Sequence, residues 1–390
     1  MRAHPEESPA MTRLLPSLAI LAILAALEGP VAAQAPRTVV IGIAGPLTGG
    51  SANAGKDNEN GARLAIADLN RREPVIGGQK LHFELDSQDD QGDPRQATVV
   101  AQRLCDANVA GVVGHYNSGA TIPASRFYRD CGLPLMNPSS SSPAVTRLGF
   151  ATTFRIISND EVLSGALARH AIDVLHARRI AVIDDRTAYG QAAGDQFTKA
   201  VQERGGELLA RQFVAPTAID FSPVLTVLKA QQADLVFYGG LDAQAGPLLR
   251  QMRELGVHAR LMGTGGLCTP QLVRLAGEEN AGHEVICTTG GGLVSALPGG
   301  PDFERRYRAT YGLEVQAYAP FAYDAVMVLV DAMTRAGSVD PRQYLPAIAA
   351  TDYTGVTGRI RFDERGDIRE RPVMLITFEG TRKVLVGDTK

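Results

Sequence analysis

The sequence predicts an α/β chain of two lobes, each a mainly parallel sheet flanked by helices. Strand-like apolar runs alternate with helix-like periodicities along most of the 390 residues. Repeated strand–helix units imply parallel strands with helices on both faces. The alternation stops near residues 154–160 and then restarts, which implies two lobes rather than one. Polar and glycine-rich segments fall directly after the strands, at the edge where open α/β sheets hold ligands.

Residues 38–43 are an apolar, β-branched first strand. Residues 60–70 place Ala62, Ala65, Ile66 and Leu69 on one helical face. Residues 81–86 alternate as a strand, and Pro94 suits the first position of a helix whose inward face is Ala97, Val100, Ala101 and Leu104. A strand at 109–114, a helix at 121–130 and a strand at 133–136 complete the first run. The second run has strands at 179–184, 207–214 and 235–238. Its helices carry Phe197 and Val201, then Val224, Leu225 and Leu228, then Ala245, Leu248, Leu249 and Met252 within 244–255. The segments that follow strands, and so face a ligand, are 45–55, 114–121, 137–143, 184–190, 239–242 and 263–268.

Composition narrows the function. Apolar residues are 45% and charged residues 21%, a globular balance. Lys+Arg 39 against Asp+Glu 42 leaves a net charge of −3, so no basic field would draw nucleic acid or anionic lipid. At the N-terminus Arg13 precedes an apolar run at 14–27 and the small residues Val31-Ala32-Ala33 and Ala33-Gln34-Ala35. This is the pattern of a secretory signal peptide, assigned to residues 1–35. Glu6 and Glu7 do not suit the positively charged start of a signal, so Met11 is the expected start of translation. Removing residues 1–33 leaves a net charge of −2. Later apolar segments are too short to span a bilayer, and no cysteine stands near the cleavage point for lipid attachment. The expected product is soluble and periplasmic.

Export favours disulfides among Cys105, Cys131, Cys268 and Cys287. Three pairings are possible. Cys105–Cys131 and Cys268–Cys287 close short loops in separate halves of the chain and are preferred. Clustered Cys/His spacing for zinc is missing, and no metal or other cofactor is expected.

Catalytic signatures are missing too. Gly42-Ile43-Ala44-Gly45-Pro46 follows the first strand where a dinucleotide fingerprint would need G-x-G-x-x-G. There is no phosphate-loop, G-x-S-x-G or H-E-x-x-H motif. His115 is the one histidine in a ligand-facing segment, and its plain reading is a hydrogen-bonded packing residue. Asp89-Asp90 reads as a solvated loop or as a cap ahead of the Pro94 helix. An enzyme is not expected.

What remains suits a small polar ligand. Ser139-Ser140-Ser141-Ser142 precedes Pro143, so Ser142 is a natural helix N-cap and the run offers hydroxyls and backbone N–H groups to a carboxylate. Tyr116-Asn117-Ser118-Gly119-Ala120-Thr121 forms a similar strand-to-helix turn. Composition alone allows a flexible serine loop equally well.

The order of segments and a set of local motifs resemble type I periplasmic binding proteins, in particular the leucine/isoleucine/valine-binding components of ABC transporters. The resemblance runs from Thr38 almost to the C-terminus. It rests on Gly42-Ile43-Ala44-Gly45-Pro46-Leu47-Thr48-Gly49, Asn60-Gly61-Ala62, Ile66-Ala67-Asp68-Leu69-Asn70, Asp89-Asp90 with Gly92-Asp93-Pro94, and Val113-Gly114-His115. Pro123-Ala124-Ser125, Asn137-Pro138, Tyr189-Gly190, Tyr238-Gly239-Gly240 and Phe362-Asp363-Glu364-Arg365-Gly366-Asp367 add to it. It implies lobes at 37–156 plus 290–355 and at 157–289 plus 356–390, joined by three hinge crossovers near 154–160, 285–290 and 355–358. It implies a monomer that traps a branched-chain or similar apolar amino acid between closing lobes and presents it to a membrane ABC permease. By motif match, Ser118 meets the ligand carboxylate, Ser139 and Ser141 meet carboxylate and ammonium, Tyr189 covers the ligand from the second lobe, and Tyr318 lines the side-chain pocket.

Three positions depart from the family pattern. Gly265, within Met262-Gly263-Thr264-Gly265-Gly266, stands where the family has an acidic ammonium ligand. Leu241 and Ala54 each replace an aromatic residue. A buried ammonium without an anion is costly, so Asp242 is the expected replacement and Asp185 a weaker one. The other readings are a binder of aromatic or aliphatic carboxylates or amides, and a ligand sensor for a membrane receptor.

Overall fold

A computed structural model describes residues 35–282, 284–369 and 373–386. The expected signal peptide lies outside the described residues. The described residues from Arg37 onward form one compact unit, and no helix among the described residues is long and apolar enough to cross a membrane.

The chain builds two sheets. The first contains β1 (Arg37–Gly45), β2 (Val75–Ile76), β3 (Gln79–Asp89), β4 (Val112–Gly114), β5 (Leu135–Asn137) and β6 (Thr153–Arg155), in the spatial order β2-β3-β1-β4-β5-β6. Only β2 runs antiparallel to its neighbour. The second contains β7 (Ile180–Asp184), β8 (Leu208–Phe213), β9 (Leu235–Gly239), β10 (Arg260–Gly263) and β11 (Val285–Thr288). After a separate hairpin of β12 (Tyr353–Gly355) and β13 (Gly358–Ile360), it gains β14 (Leu375–Glu379) and β15 (Arg382–Leu385) at an antiparallel edge. Its spatial order is β15-β14-β11-β10-β9-β7-β8. Helices on both faces bury the central strands, which accounts for their nearly continuous apolar runs.

The elements extend beyond their apolar periodicity where polar contacts take over. The first helix runs Ala52–Arg71, not from residue 60, because its polar first half is buried. There the Asp57 carboxylate accepts from the backbone N–H groups of Gln316, Ala317, Tyr318 and Ala319 at 2.8–3.0 Å. These donors include the start of helix Ala319–Ala336, so Asp57 caps a helix some 260 residues away. Residues 300–349, to which periodicity assigns no element, form helices Gly300–Tyr311, Ala319–Ala336 and Pro341–Ala349. Helix Ala319–Ala336 is apolar nearly all round and is buried against Ala52–Arg71.

The third crossing lies later than residues 355–358. Asp324 accepts from the N–H groups of Val356 and Thr357 and holds the β12–β13 hairpin on the first lobe. Ile360 and Phe362 enter the first core, and the Phe362 ring packs on Phe154 at 5.1 Å. Asp367 then pairs with the fully buried Arg155 of β6 at 2.6 Å. The chain therefore stays with the first lobe through Asp367, because its apolar and charged partners are there. At the other two crossings Ser158 N–H donates to the Gly290 carbonyl at 3.0 Å, so those two connecting segments are hydrogen-bonded to each other.

Both disulfides join residues within one lobe: Cys105 to Cys131, Cα atoms 6.0 Å apart, and Cys268 to Cys287, 5.6 Å apart. The sequence separations of 26 and 19 make each bond worth roughly 3 kcal/mol in the chain-entropy model. Non-reducing peptide mapping is expected to recover both cross-links. Urea unfolding after reduction is expected to show a loss of that size for each.

Candidate functional site

Between the lobes lies a cavity of about 680 Å³, lined by segments that follow β4, β5, β7 and β9. Ser118, Ser139, Ser141, Tyr189 and Tyr318 all line it. Strand ends bring these residues together, as expected for a parallel α/β sheet.

Asn137, at the end of β5, shapes the serine loop. Its Nδ2 donates to the carbonyls of Gly114 and His115, and its Oδ1 accepts from Ser139 and Ser140 N–H at 3.2 and 2.7 Å. The Ser140 hydroxyl is spent internally on Thr121 and on the carbonyls of His115 and Tyr116. Arg155 draws the carbonyls of Ser140 and Ser142 back toward itself at 3.2 and 2.6 Å. The loop is therefore fixed rather than flexible. The Ser142 hydroxyl accepts from Ala144 N–H at 3.4 Å, the contact expected of a cap ahead of Pro143. The following helix, Ala144–Arg147, is a single turn, and Ser142 N–H donates to the Ser118 hydroxyl at 3.3 Å.

Helix Ser118–Cys131 supplies the stronger helix end. Asn117 at its N-cap makes no side-chain cap, and Ser118 and Gly119 both face the cavity. First-turn N–H groups lack intrahelical acceptors, so this end offers donors and a positive dipole to an anion. His115 is a structural hub. Its Nδ1 lies 2.6 Å from the buried Asp90 carboxylate and its Nε2 2.9 Å from the Tyr128 hydroxyl. Asp89 binds the Leu47 and Thr48 N–H groups, and Asp93 rather than either aspartate before it caps helix Pro94–Asp106.

The walls are aromatic. Tyr116 meets Tyr318 edge-on at 5.7 Å, and Leu241 faces them. The Tyr189 hydroxyl lies 2.8 Å from Thr264 Oγ1 and accepts from Gly266 N–H at 3.1 Å. Gly265 and Gly266 make room for these phenols. A Cβ at Gly265 would stand 2.6 Å from the Tyr318 hydroxyl, and one at Gly266 2.7 Å from that of Tyr189. An acidic side chain at 265 is thus incompatible with Tyr318 as placed.

Asp242, the expected replacement, has its carboxylate bonded to a neighbouring helix start. Leu241, Ala243 and Gln244 line the cavity, but the Asp242 carboxylate accepts from Thr269 Oγ1 at 2.5 Å. It begins helix Asp242–Glu254 and Thr269 caps helix Pro270–Ala276, so the pair ties two helix starts together. We expect Asp242→Asn to change ligand affinity less than threefold in calorimetry, with its main effect on thermal stability. Asp185 lines the cavity, but its Oδ1 is taken by Thr187 N–H and Oγ1. Arg186 also lines it, with its guanidinium stacked 4.4 Å over the Phe213 ring.

The acid with an unmet requirement is Asp160, which sequence reasoning placed only in a hinge. It is fully buried, and its Oδ2 is the only carboxylate oxygen among the described residues that is buried without a hydrogen-bond partner. Its Oδ1 accepts from Thr264 Oγ1 at 3.2 Å. Burial pushes its pKa up to about 7, against the opposing pull of the Ser141 and Thr264 hydroxyls and of Arg155. Burial raises the pKa values of Tyr189 and Tyr318, and the nearby Asp160 charge adds to both shifts.

A family model described as periplasmic binding protein matches residues 38–382. The chain belongs to the periplasmic binding protein family. An amino acid binding protein of Pseudomonas aeruginosa is 33% identical over 92% of this chain and 95% of its own. A Leu/Ile/Val-binding protein homolog 1 of Brucella suis is 32% identical over 84% and 87%. Among solved structures, the leucine binding protein LivK of Thermotoga maritima superposes with a TM-score of 0.82, at 27% identity over 89% of this chain and 97% of that one. The family explains the mixed sheets and the cleft between them. The family is described as one of binding proteins.

Proposed function

We propose that this protein is the exported, periplasmic substrate-binding component of an ABC transporter and captures a branched-chain amino acid between its lobes. The observation that carries the reading is the buried Asp160 oxygen without a hydrogen-bond partner, on a residue whose N–H bonds the Ser141 carbonyl at 2.8 Å, together with the uncapped helix end at Ser118 and Gly119 on the cavity. An anion-binding helix end beside a buried, uncompensated carboxylate suits the paired charges of an α-amino acid. The ligand carboxylate lies on Ser118 and Gly119, and its ammonium lies at Ser139 and Ser141 with Asp160 as counter-ion. An aliphatic side chain then packs against Tyr116, Tyr318 and Leu241. Tyr189, from the second lobe, covers the ligand as the lobes close. The relatives' names, amino acid binding and Leu/Ile/Val-binding, support the same class. A membrane permease is the partner that receives the ligand.

Calorimetry with leucine, isoleucine and valine against 4-methylvalerate, which lacks the amino group, tests this reading. The amino acids are expected to bind and the acid to bind far more weakly. Equal affinity for 4-methylvalerate and leucine would favour a carboxylate binder instead. Ser118→Ala and Ser141→Ala are each expected to weaken leucine binding by roughly 1.5–3 kcal/mol, the scale of a hydrogen bond to a charged group. The ligand-free melting temperature of both variants should stay close to the parent's.

A further inference from the structure

Thr264 stands at the end of β10, fully buried, at the N-cap position of the short turn Gly265–Leu267. A threonine at such a position ordinarily bonds its own turn. Here the side chain makes no cap. Its hydroxyl reaches instead to two residues on other elements: Asp160 Oδ1 at 3.2 Å and the Tyr189 hydroxyl at 2.8 Å.

The proton inventory sets the direction of this chain. A threonine hydroxyl has one proton, and an ionised carboxylate can only accept. When Asp160 is ionised, the Thr264 proton therefore goes to it, and Tyr189 donates to Thr264. The Tyr189 oxygen remains free to accept, and Gly266 N–H donates to it at 3.1 Å. The result is a one-way relay from Gly266 through Tyr189 and Thr264 to Asp160. Such chains polarise one another in a low-dielectric interior. Gly266 is required at its place, since a Cβ there would collide with the Tyr189 ring and hydroxyl.

We propose that Thr264 is the positioning residue that sets amino-acid specificity in this site: its hydroxyl holds the Asp160 carboxylate with Oδ2 left for the ligand ammonium and locks the covering Tyr189 to the same point. This rests on the amino-acid reading above and supplies what the missing acid at Gly265 does not. Thr264 lies 104 positions from Asp160 and 75 from Tyr189, so the relay joins the hinge end of helix Asp160–Arg169 to the ligand-covering helix Ala188–Glu203. The groups facing the Asp160 carboxylate are Ser141, Thr264, Tyr189, Tyr318 and Arg155, the last also paired with Asp367. Only Thr264 bonds both the carboxylate and the covering tyrosine.

The test compares Thr264→Val, which keeps the shape and removes the hydroxyl, with Thr264→Ser, which keeps the hydroxyl. Leucine and 4-methylvalerate are titrated by calorimetry from pH 5.5 to 8.5. Thr264→Val is expected to bind leucine about tenfold more weakly at pH 8, the scale of one hydrogen bond to a charge. Its affinity is also expected to fall off on acidification from a higher pH, since the ionised carboxylate has lost a donor. Affinity for 4-methylvalerate should not change, and Thr264→Ser should restore both properties. Tyr189→Phe cuts the relay one bond farther out and should move the pH profile in the same direction by less. An unchanged leucine affinity and pH profile in Thr264→Val overturns the proposal, and so does an equal loss for both ligands. Should the parent protein bind no amino acid, the functional reading fails by itself. The relay is then still tested without ligand: the stability gained on acidification through pH 7 begins at higher pH in Thr264→Val, or the relay is wrong.

Discussion

Asp160→Asn is expected to weaken leucine binding by about 3 kcal/mol or more, on the order of 100-fold, because it leaves the ligand ammonium without a counter-ion in a closed site. The same substitution should leave 4-methylvalerate binding undiminished, since that ligand brings no ammonium. It should also stabilise the ligand-free protein at pH 8. An aspartate held at a pKa of about 7 when folded, against an ordinary value of 3.8 when unfolded, favours the protonated form in the fold. Between those two values the folded state binds the extra proton, so stability falls as pH rises toward 7. Above pH 7 the penalty is complete, at roughly 3–5 kcal/mol. Ligand affinity runs the other way. The ammonium needs the ionised carboxylate, so leucine affinity should drop by up to about tenfold per pH unit below 7. Opposite slopes for apo stability and leucine affinity across pH 5–7 are the signature to be measured. Parallel slopes would remove Asp160 from the ligand.

Arg155→Met is expected to cost roughly 3–5 kcal/mol of ligand-free stability in urea unfolding, the scale for breaking a buried ion pair from one side. The guanidinium is fully buried and bonds Asp367 while donating to Ser140, Ser142 and Thr146. Methionine fills most of the volume but leaves the Ser140 carbonyl without a donor, the Ser142 carbonyl with Val145 N–H alone, and the Asp367 charge without its partner. Leucine affinity should fall as well, because the Ser140 and Ser142 carbonyls hold the loop that presents Ser139 and Ser141. Loss of a nearby positive charge should also raise the Asp160 pKa and move the binding profile to higher pH. A stability loss below 1 kcal/mol would show that the pair merely breaks even against an apolar residue of similar size.

The strands and the paired helices were legible because each buries an apolar face whose period is written in consecutive residues. Val39, Ile41 and Ile43 in β1, and Ala97, Val100, Ala101 and Leu104 in helix Pro94–Asp106, are of this kind, and all are buried. The polar first half of helix Ala52–Arg71 was not, because Asp57 is justified only by distant donors, the backbone N–H groups at 316–319 and the Tyr307 hydroxyl. The course of the chain past residue 355 was hidden for the same reason: Asp324, Phe154 and Arg155 keep it on the first lobe, and none of them is its neighbour in sequence.

By itself, the sequence determined the two-lobed α/β plan, the absence of catalytic signatures and the serine-bearing turns after β4 and β5, all of which depend on local spacing. It also marked the vacancy at Gly265. Only the tertiary structure shows where the nearby acids lie and what each is bonded to. Asp242 and Asp160 both stand at the first position of a helix, and nothing in their neighbours separates them. Folding turns the Asp242 carboxylate onto Thr269 and leaves one oxygen of Asp160 buried and unmatched. The difference is set by which distant hydroxyl lies within about 3 Å, because the free energy of a buried charge depends on partners that chain folding alone brings together.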